Sequence, residues 1–201
     1  MKIIGITGGV GCGKSEVIRY IMNNYNCFVI FADDVAKQLQ QKGNLCYDRI
    51  VELLGKEILS TDGEIDKGKM AAKIFANESL LERVNEIIHP AVYDFVLERI
   101  AEHKEKSEID FFIIEAALLI ECGYGKIVDE MWYVYTKDEI RRERLKKSRG
   151  YSDEKISQIF SSQLSYEEFK NASSFIVDNN DSVENTQKQI DDKLEEYLCQ
   201  K

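Results

Sequence analysis

The 201-residue sequence has one proline, one tryptophan and two histidines, and its scarcities narrow the field early. Two histidines do not build a His-rich metal centre. The five cysteines, at 12, 27, 46, 122 and 199, are an odd number without a C-x-x-C pair. That pattern reads as free thiols in a reducing, cytoplasmic setting, against a disulfide frame or a zinc site. No apolar run approaches the ~18 residues that span a bilayer. The first apolar run starts at Lys2, which leaves no room for a signal peptide ahead of it. Positive charge is also short: 27 Lys and Arg face 36 Asp and Glu, for a net charge of −9. A chain with no surplus of cations suits neither a nucleic-acid backbone nor an anionic membrane surface. No internal repeat or low-complexity linker appears, and the length fits one α/β domain with a small insertion.

What is present organises around the amino-terminal stretch. Residues 2–7 form an almost unbroken apolar run, as a buried parallel strand requires. Then Gly8, Gly13, Lys14 and Ser15 complete the pattern G-x-x-x-x-G-K-[ST], the phosphate loop. Glycines let the backbone approach a polyanion, and successive N–H groups at a helix start form an anion nest. Lys14 reaches for the β- and γ-phosphates, and the Ser15 hydroxyl suits Mg²⁺. From Glu16 the pattern turns helical, with Val17, Ile18, Ile21 and Met22 on one face. The chain is therefore expected to bind a nucleoside triphosphate.

Further apolar runs predict strands at 27–32, 110–116, 131–136 and 174–179, alternating with helices. That alternation predicts a five-stranded, doubly wound parallel sheet with five buried strands. Residues 35–108 are helical in pattern and richly charged, with a turn at Thr61-Asp62-Gly63. One helix there carries Leu80, Leu81, Val84, Ile87 and Ile88, and a second, after Pro90, carries Val92, Phe95, Val96 and Ile100. This block reads as a helical substrate domain inserted into a core made of 1–34 and 109–201. A charged helical stretch covers 138–170. A last helix opens with Asp181 as N-cap and Glu184 at N3, and its apolar face is Val183, Ile190, Leu194 and Tyr197.

Three features bear on chemistry. Asp33 follows the second strand, at the sheet edge that faces the ligand crevice in open α/β folds. A carboxylate there can accept the proton of an attacking hydroxyl, while Asp34 better fits a helix cap. The run Arg141-Arg142-Glu143-Arg144-Leu145-Lys146-Lys147-Ser148-Arg149 is locally basic. It reads as a short helical lid, about 138–155, that neutralises charge during phosphoryl transfer, with Arg144 and Arg149 foremost; a solvated helix face is the alternative. Guanine-reading [NT]-K-x-D and D-x-x-G motifs are missing, which argues against a GTPase. Glu115 stands at the third strand, in a metal-supporting or a purely structural role.

These residues resemble the dephospho-coenzyme A kinase family, from Ile4 to about Ile190. The family opening T-G-G-[IV]-G-S-G-K-[ST] is followed by Thr7-Gly8-Gly9-Val10-Gly11-Cys12-Gly13-Lys14-Ser15. Its D-A-D appears as Phe31-Ala32-Asp33, and its I-x-H-P as Ile87-Ile88-His89-Pro90. Its D-V-P-L-L-[FY]-E is looser, as Glu115 to Glu121, and its R-L-x-x-R-x-G-x-S resembles Arg144 to Ser152. Gln163 falls where the family has a helical glutamine, and Ala172 to Asn179 resembles the A-D-x-x-x-x-N ending beside the adenine. Departures are Phe31, Glu115, Ala117, Ser148 and Ser173, with Lys37 where arginine is usual.

The resemblance implies a P-loop kinase fold with a helical substrate-binding insertion and a lid. It implies ATP- and Mg²⁺-dependent phosphorylation of the ribose 3′-hydroxyl of dephospho-coenzyme A, the last step of coenzyme A synthesis. Asp33, Lys14 and Arg144 would then be catalytic. Gly8 through Glu16, Arg149 and Asn179 would hold the nucleotide, and Ser15 the metal. Lys37, His89 and Leu118 would touch the substrate, with His89 equally readable as structural. The partner would be a small molecule, and oligomeric state stays open. Two rivals remain: another small-molecule P-loop kinase, such as a nucleoside monophosphate kinase, and a nucleotide-binding switch without turnover.

Overall fold

The computed structural model describes residues 1–199. Its strands are β1 (Lys2–Thr7), β2 (Cys27–Phe31), β3 (Phe111–Glu115), β4 (Glu130–Tyr135) and β5 (Phe175–Asp178). They make one parallel sheet in the order β2-β3-β1-β4-β5, with helices on both faces. Strand burial follows position in that order. The inner strands β1, β3 and β4 are buried along nearly their whole length, as their unbroken apolar runs demand. The expectation of five buried strands needs correcting at the edges, where only Ile30 of β2 and Val177 of β5 are buried.

Nine helices occur among the described residues: α1 (Lys14–Asn24), α2 (Ala32–Leu39), α3 (Tyr47–Leu54), α4 (Lys67–Phe75), α5 (Glu78–Lys106), α6 (Asp138–Arg149), α7 (Asp153–Ser161), α8 (Tyr166–Ala172) and α9 (Val183–Cys199). The chain divides into two compact units, residues 1–30 with 106 onward, and residues 31–105.

The first unit carries the sheet. Its core is built from Ile4, Ile6, Phe111, Phe112, Ile113, Ile114 and Trp132, all fully buried. From α1 come Val17, Ile18 and Ile21, whereas Met22 is exposed. Ile190 and Leu194 of α9 are buried, but Val183, expected on the same face, is not. A carboxylate joins these two helices: Asp191 accepts hydrogen bonds from the Tyr20 hydroxyl at 2.7 Å and the Tyr25 hydroxyl at 2.6 Å. Desolvation, reinforced by Asp191, pushes the Tyr20 phenol up to about 12 and the Tyr25 phenol higher still.

The charged stretch after β4 is three helices. Gly150, at φ +63°, terminates α6 in the left-handed conformation that favours glycine. Ser152 caps α7, and Ser165 with Glu168 forms a capping box on α8. At α9 the expected cap moves by one residue: Ser182 Oγ, not Asp181, accepts the Asn185 N–H at 3.2 Å.

The second unit is helical. Its turn at 61–63 is closed by the Gly63 N–H donating to the Ser60 carbonyl at 3.0 Å. The Asp66 side chain caps α4 by accepting the Lys69 N–H at 2.9 Å. The two helices expected around Pro90 are one: α5 runs 29 residues with Pro90 inside it. Burial of Val84, Ile87, Ile88, Ala91, Val92, Val96 and Ile100 along one continuous face outweighs the ~3 kcal/mol that an interior proline costs. Leu81 is exposed instead.

Candidate active site

The strand order determines where a ligand crevice opens. The chain leaves β1 toward β2, whereas it leaves β3 toward β4 on the other side of β1. Connections diverging from two adjacent parallel strands leave a gap at their carboxyl ends. Ile6 of β1 is in register with Glu115 of β3 at that end. Residues 8–13 leave β1 there, and Gly13, at φ +95°, turns the chain into α1.

Among the described residues, none accepts a hydrogen bond from the amides of Gly11, Gly13, Lys14 or Ser15. Open N–H groups at the positive end of an 11-residue helix make an anion site. Lys14 folds back over the loop, donating to the Gly8 carbonyl at 2.6 Å, with Glu115 Oε1 3.9 Å away. Both side chains are largely buried, at 14% and 17% exposure, so the ammonium is held in place by a partner of opposite charge. Ser15 lies exposed in the first turn. The residues suit a polyphosphate with a divalent cation: open amides, one ammonium, one hydroxyl and a nearby carboxylate.

One carbonyl of the loop gathers three ties from the rest of its unit. The oxygen of Cys12 accepts from Asn179 Nδ2 at 2.8 Å, Thr136 Oγ1 at 2.9 Å and Arg144 Nη1 at 3.3 Å. Arg144 also donates from Nη2 to the Asn179 carbonyl at 3.1 Å. The Asn179 amide is fixed in turn, because its oxygen accepts the Thr186 hydroxyl at 3.0 Å. A groove of about 380 Å³ opens beside Gly13, lined by Glu16, Tyr20, Arg144, Asn179, Val183 and Ile190. Burial pushes the Tyr133 phenol up, and Cys12 reinforces the shift.

Of the residues singled out in the sequence, Gly8 through Glu16, Glu115, Arg144 and Asn179 gather at the loop. Arg149 does not: it is exposed, its guanidinium 5.9 Å from the Tyr151 ring. Leu118 is exposed in the first unit, on the segment after β3. Asp33, Lys37 and His89 belong to the second unit, and all three are exposed. Asp33 does not end a strand, since β2 stops at Phe31 and Asp33 sits in the first turn of α2. An acidic first turn there complements the helix dipole. Asp34 is not a cap; it pairs with Lys37 at 2.6 Å and holds that ammonium above its usual range.

Two residues at the loop, Arg141 of the basic run and Gln163, were given no site role of their own in the sequence. Arg141 donates from Nε to the Val10 carbonyl at 3.0 Å, and Gln163 Oε1 accepts the Val10 N–H at 3.2 Å. Gln163 lies just after α7, not within a helix. The spacing of Arg141, Arg144 and buried Leu145, three and four residues apart on α6, was the available signal.

A phosphate loop at the crevice of a β2-β3-β1-β4-β5 parallel sheet, with arginines from a later helix turned onto it, defines a P-loop kinase. Shikimate kinase from Acinetobacter baumannii shares the fold, with a TM-score of 0.51 at 13% identity over 100% of this chain and 95% of that one. The structure of dephospho-CoA kinase from Campylobacter jejuni is nearer, with a TM-score of 0.73 at 22% identity, covering 98% and 97%. The dephospho-CoA kinase family model matches residues 2–185. The dephospho-CoA kinase of Aquifex aeolicus is 37% identical over 196 residues, 98% of this chain and 97% of that protein. The chain belongs to the dephospho-CoA kinase family, the kinases of the final step of coenzyme A biosynthesis.

Proposed function

We propose that this chain transfers the γ-phosphoryl group of ATP to the ribose 3′-hydroxyl of dephospho-coenzyme A, giving coenzyme A and ADP. The observation that carries the reading is the set of open amides of Gly11, Gly13, Lys14 and Ser15 beside the Lys14–Glu115 pair, in a chain of this family. The amides and Lys14 hold the β- and γ-phosphates, and the groove beside Gly13, lined by Arg144 and Asn179, takes the adenosine. The Ser15 hydroxyl, with Glu115 as a supporting carboxylate, would hold Mg²⁺, which would supply charge neutralisation on the transferring phosphoryl. Arg144 adds fixed positive charge to the same end of the loop, and Arg149 joins it as the 138–155 segment closes as a lid.

Asp33 accepts the proton of the 3′-hydroxyl as that oxygen attacks in line. The residue 35–108 block grips the acceptor, with Lys37 and His89 as contacts, and Leu118 contributes from the core. Five free cysteines suit a reducing cytoplasm, and no described helix is long and apolar enough to cross a membrane.

The test is ADP release from Mg-ATP with and without dephospho-coenzyme A, for wild type and Asp33→Asn. Release should depend on the acceptor and fall by roughly 10²–10⁴-fold in the variant, with ATP affinity retained. Acceptor-independent release from wild type overturns the substrate. Full activity in the variant removes Asp33 from the mechanism.

A further inference from the structure

The tip of the phosphate loop, Gly8-Gly9-Val10-Gly11, has three glycines in four residues and so little stiffness of its own. Both backbone polar groups of Val10 are nevertheless engaged. Its carbonyl accepts from Arg141 Nε at 3.0 Å, and its N–H donates to Gln163 Oε1 at 3.2 Å. The two side chains are joined to each other, because Arg141 Nη2 donates to that same Gln163 oxygen at 2.7 Å. The result is a closed ring of three hydrogen bonds around one residue. An oxygen that accepts from two donors also fixes which way the glutamine amide points.

Everything around Arg141 holds it still. Nη1 donates to Asp138 at 2.9 Å, the guanidinium lies 4.0 Å over the Phe160 ring, and the side chain is only 11% exposed. Gly9 makes room for it: a Cβ at Gly9 would collide with the guanidinium. The anchors come from α6, the helix that carries the lid arginines, and from the residues just after α7.

We infer that Arg141 and Gln163 are positioning residues that clip the tip of the phosphate loop to the α6–α7 segment. They act through Val10, presetting the loop amides for the triphosphate and transmitting the state of the lid helices to the loop. Preset donors bind more tightly because less freedom is lost on binding. The link to triphosphate affinity rests on the kinase reading above, whereas the link to loop order does not.

The test uses full-length wild type, Arg141→Ala, Gln163→Leu, the double variant and Gln163→Glu, with two readouts. Amide hydrogen exchange at Val10 should be slow in wild type and about tenfold or more faster in either single loss variant. Gln163→Glu keeps the accepting oxygen and should keep the protection. Calorimetric titration with Mg-ATP should show each single variant about tenfold weaker, and the double variant no worse than about the weaker single, since the two break one ring. The acceptor KM should stay within about twofold, as the Val10 clip lies on the nucleotide side.

An unprotected Val10 amide in wild type overturns the clip. So do additive losses in the double variant, or a harmless Gln163→Leu beside a damaging Arg141→Ala, which would make the arginine a direct nucleotide contact. A wild type that binds ATP without phosphorylating dephospho-coenzyme A overturns the substrate and leaves the clip standing. One that binds no ATP overturns the kinase reading, and the exchange data alone then decide the clip.

Discussion

Gly8 lies at φ +149°, and a Cβ built on it falls 2.6 Å from the Val134 carbonyl oxygen and 2.9 Å from Cys12 Sγ. Real Cβ atoms do not come within 3.0 Å of a neighbour, so the loop and β4 would have to part by some 0.4 Å. Neither side yields easily. Val134 is fully buried in β4, and Thr7, just ahead of Gly8, is locked in register with Tyr133. A backbone conformation left to glycine costs an L-residue about 1–3 kcal/mol, and overpacking a rigid site adds about 1–3 kcal/mol. Gly8→Ala should therefore destabilise the protein by about 2–6 kcal/mol, a large share of the ~5–15 kcal/mol that holds a domain folded. Gly125→Ala is the matched comparison. Its Cβ meets nothing within 4 Å and its φ is ordinary, so the change should stay within about 0.5 kcal/mol. Urea unfolding of both variants reads the difference directly, provided the slope stays constant. A Gly8→Ala midpoint equal to that of Gly125→Ala, at the same slope, would refute the argument.

Two further outcomes follow from single contacts. Thr136 is buried and donates to the Cys12 carbonyl at 2.9 Å; Thr136→Val keeps the shape and loses the bond. It should cost about 1 kcal/mol in urea unfolding, with ATP binding several-fold weaker by the same principle, and unchanged ATP affinity would dissociate the carbonyl tie from the loop. The Tyr20 and Tyr25 phenols are raised above their ordinary value by desolvation and Asp191. Unfolded tyrosines ionise near pH ~10 while the folded Tyr20 stays protonated to about 12. The stabilisation is thus complete below pH ~10 and is lost as pH climbs toward the folded value. The stability gap between wild type and Tyr20→Phe/Tyr25→Phe should narrow between pH 9.5 and ~11.5; a constant gap would refute the linkage.

The sheet and the phosphate loop were legible because their signals are local. A buried parallel strand writes itself as an apolar run, and every observed strand falls within one or two residues of its run. What was less legible depended on partners far along the chain. Nothing near Pro90 announces that α5 continues through it; the buried face on both sides decides that. Asp33 reads equally well at a strand end or in a first helical turn, and the backbone of Phe31 and Ala32 chooses the latter. Asp181 and Ser182 are both good caps, and one hydrogen bond to Asn185 separates them. A run of five Arg and Lys between 141 and 147, and Arg149 beyond, shows its charge but not its direction. Arg141 and Arg144 turn to the loop, Arg149 to Tyr151. Gln163, an uncharged side chain outside any helix, gave no sign of its contact with Val10.

The carbonyl of Cys12 carries a lesson about portability. Its donors, Thr136, Arg144 and Asn179, enter the chain 124 to 167 positions after it, from the stretches that follow β4 and β5. An eight-residue signature grafted onto another strand and helix would bring along the amides and the lysine. It would leave behind the three donors that give those amides a common direction. Here the set of the phosphate loop is a property of the finished sheet, complete only with the residues that follow its last strand.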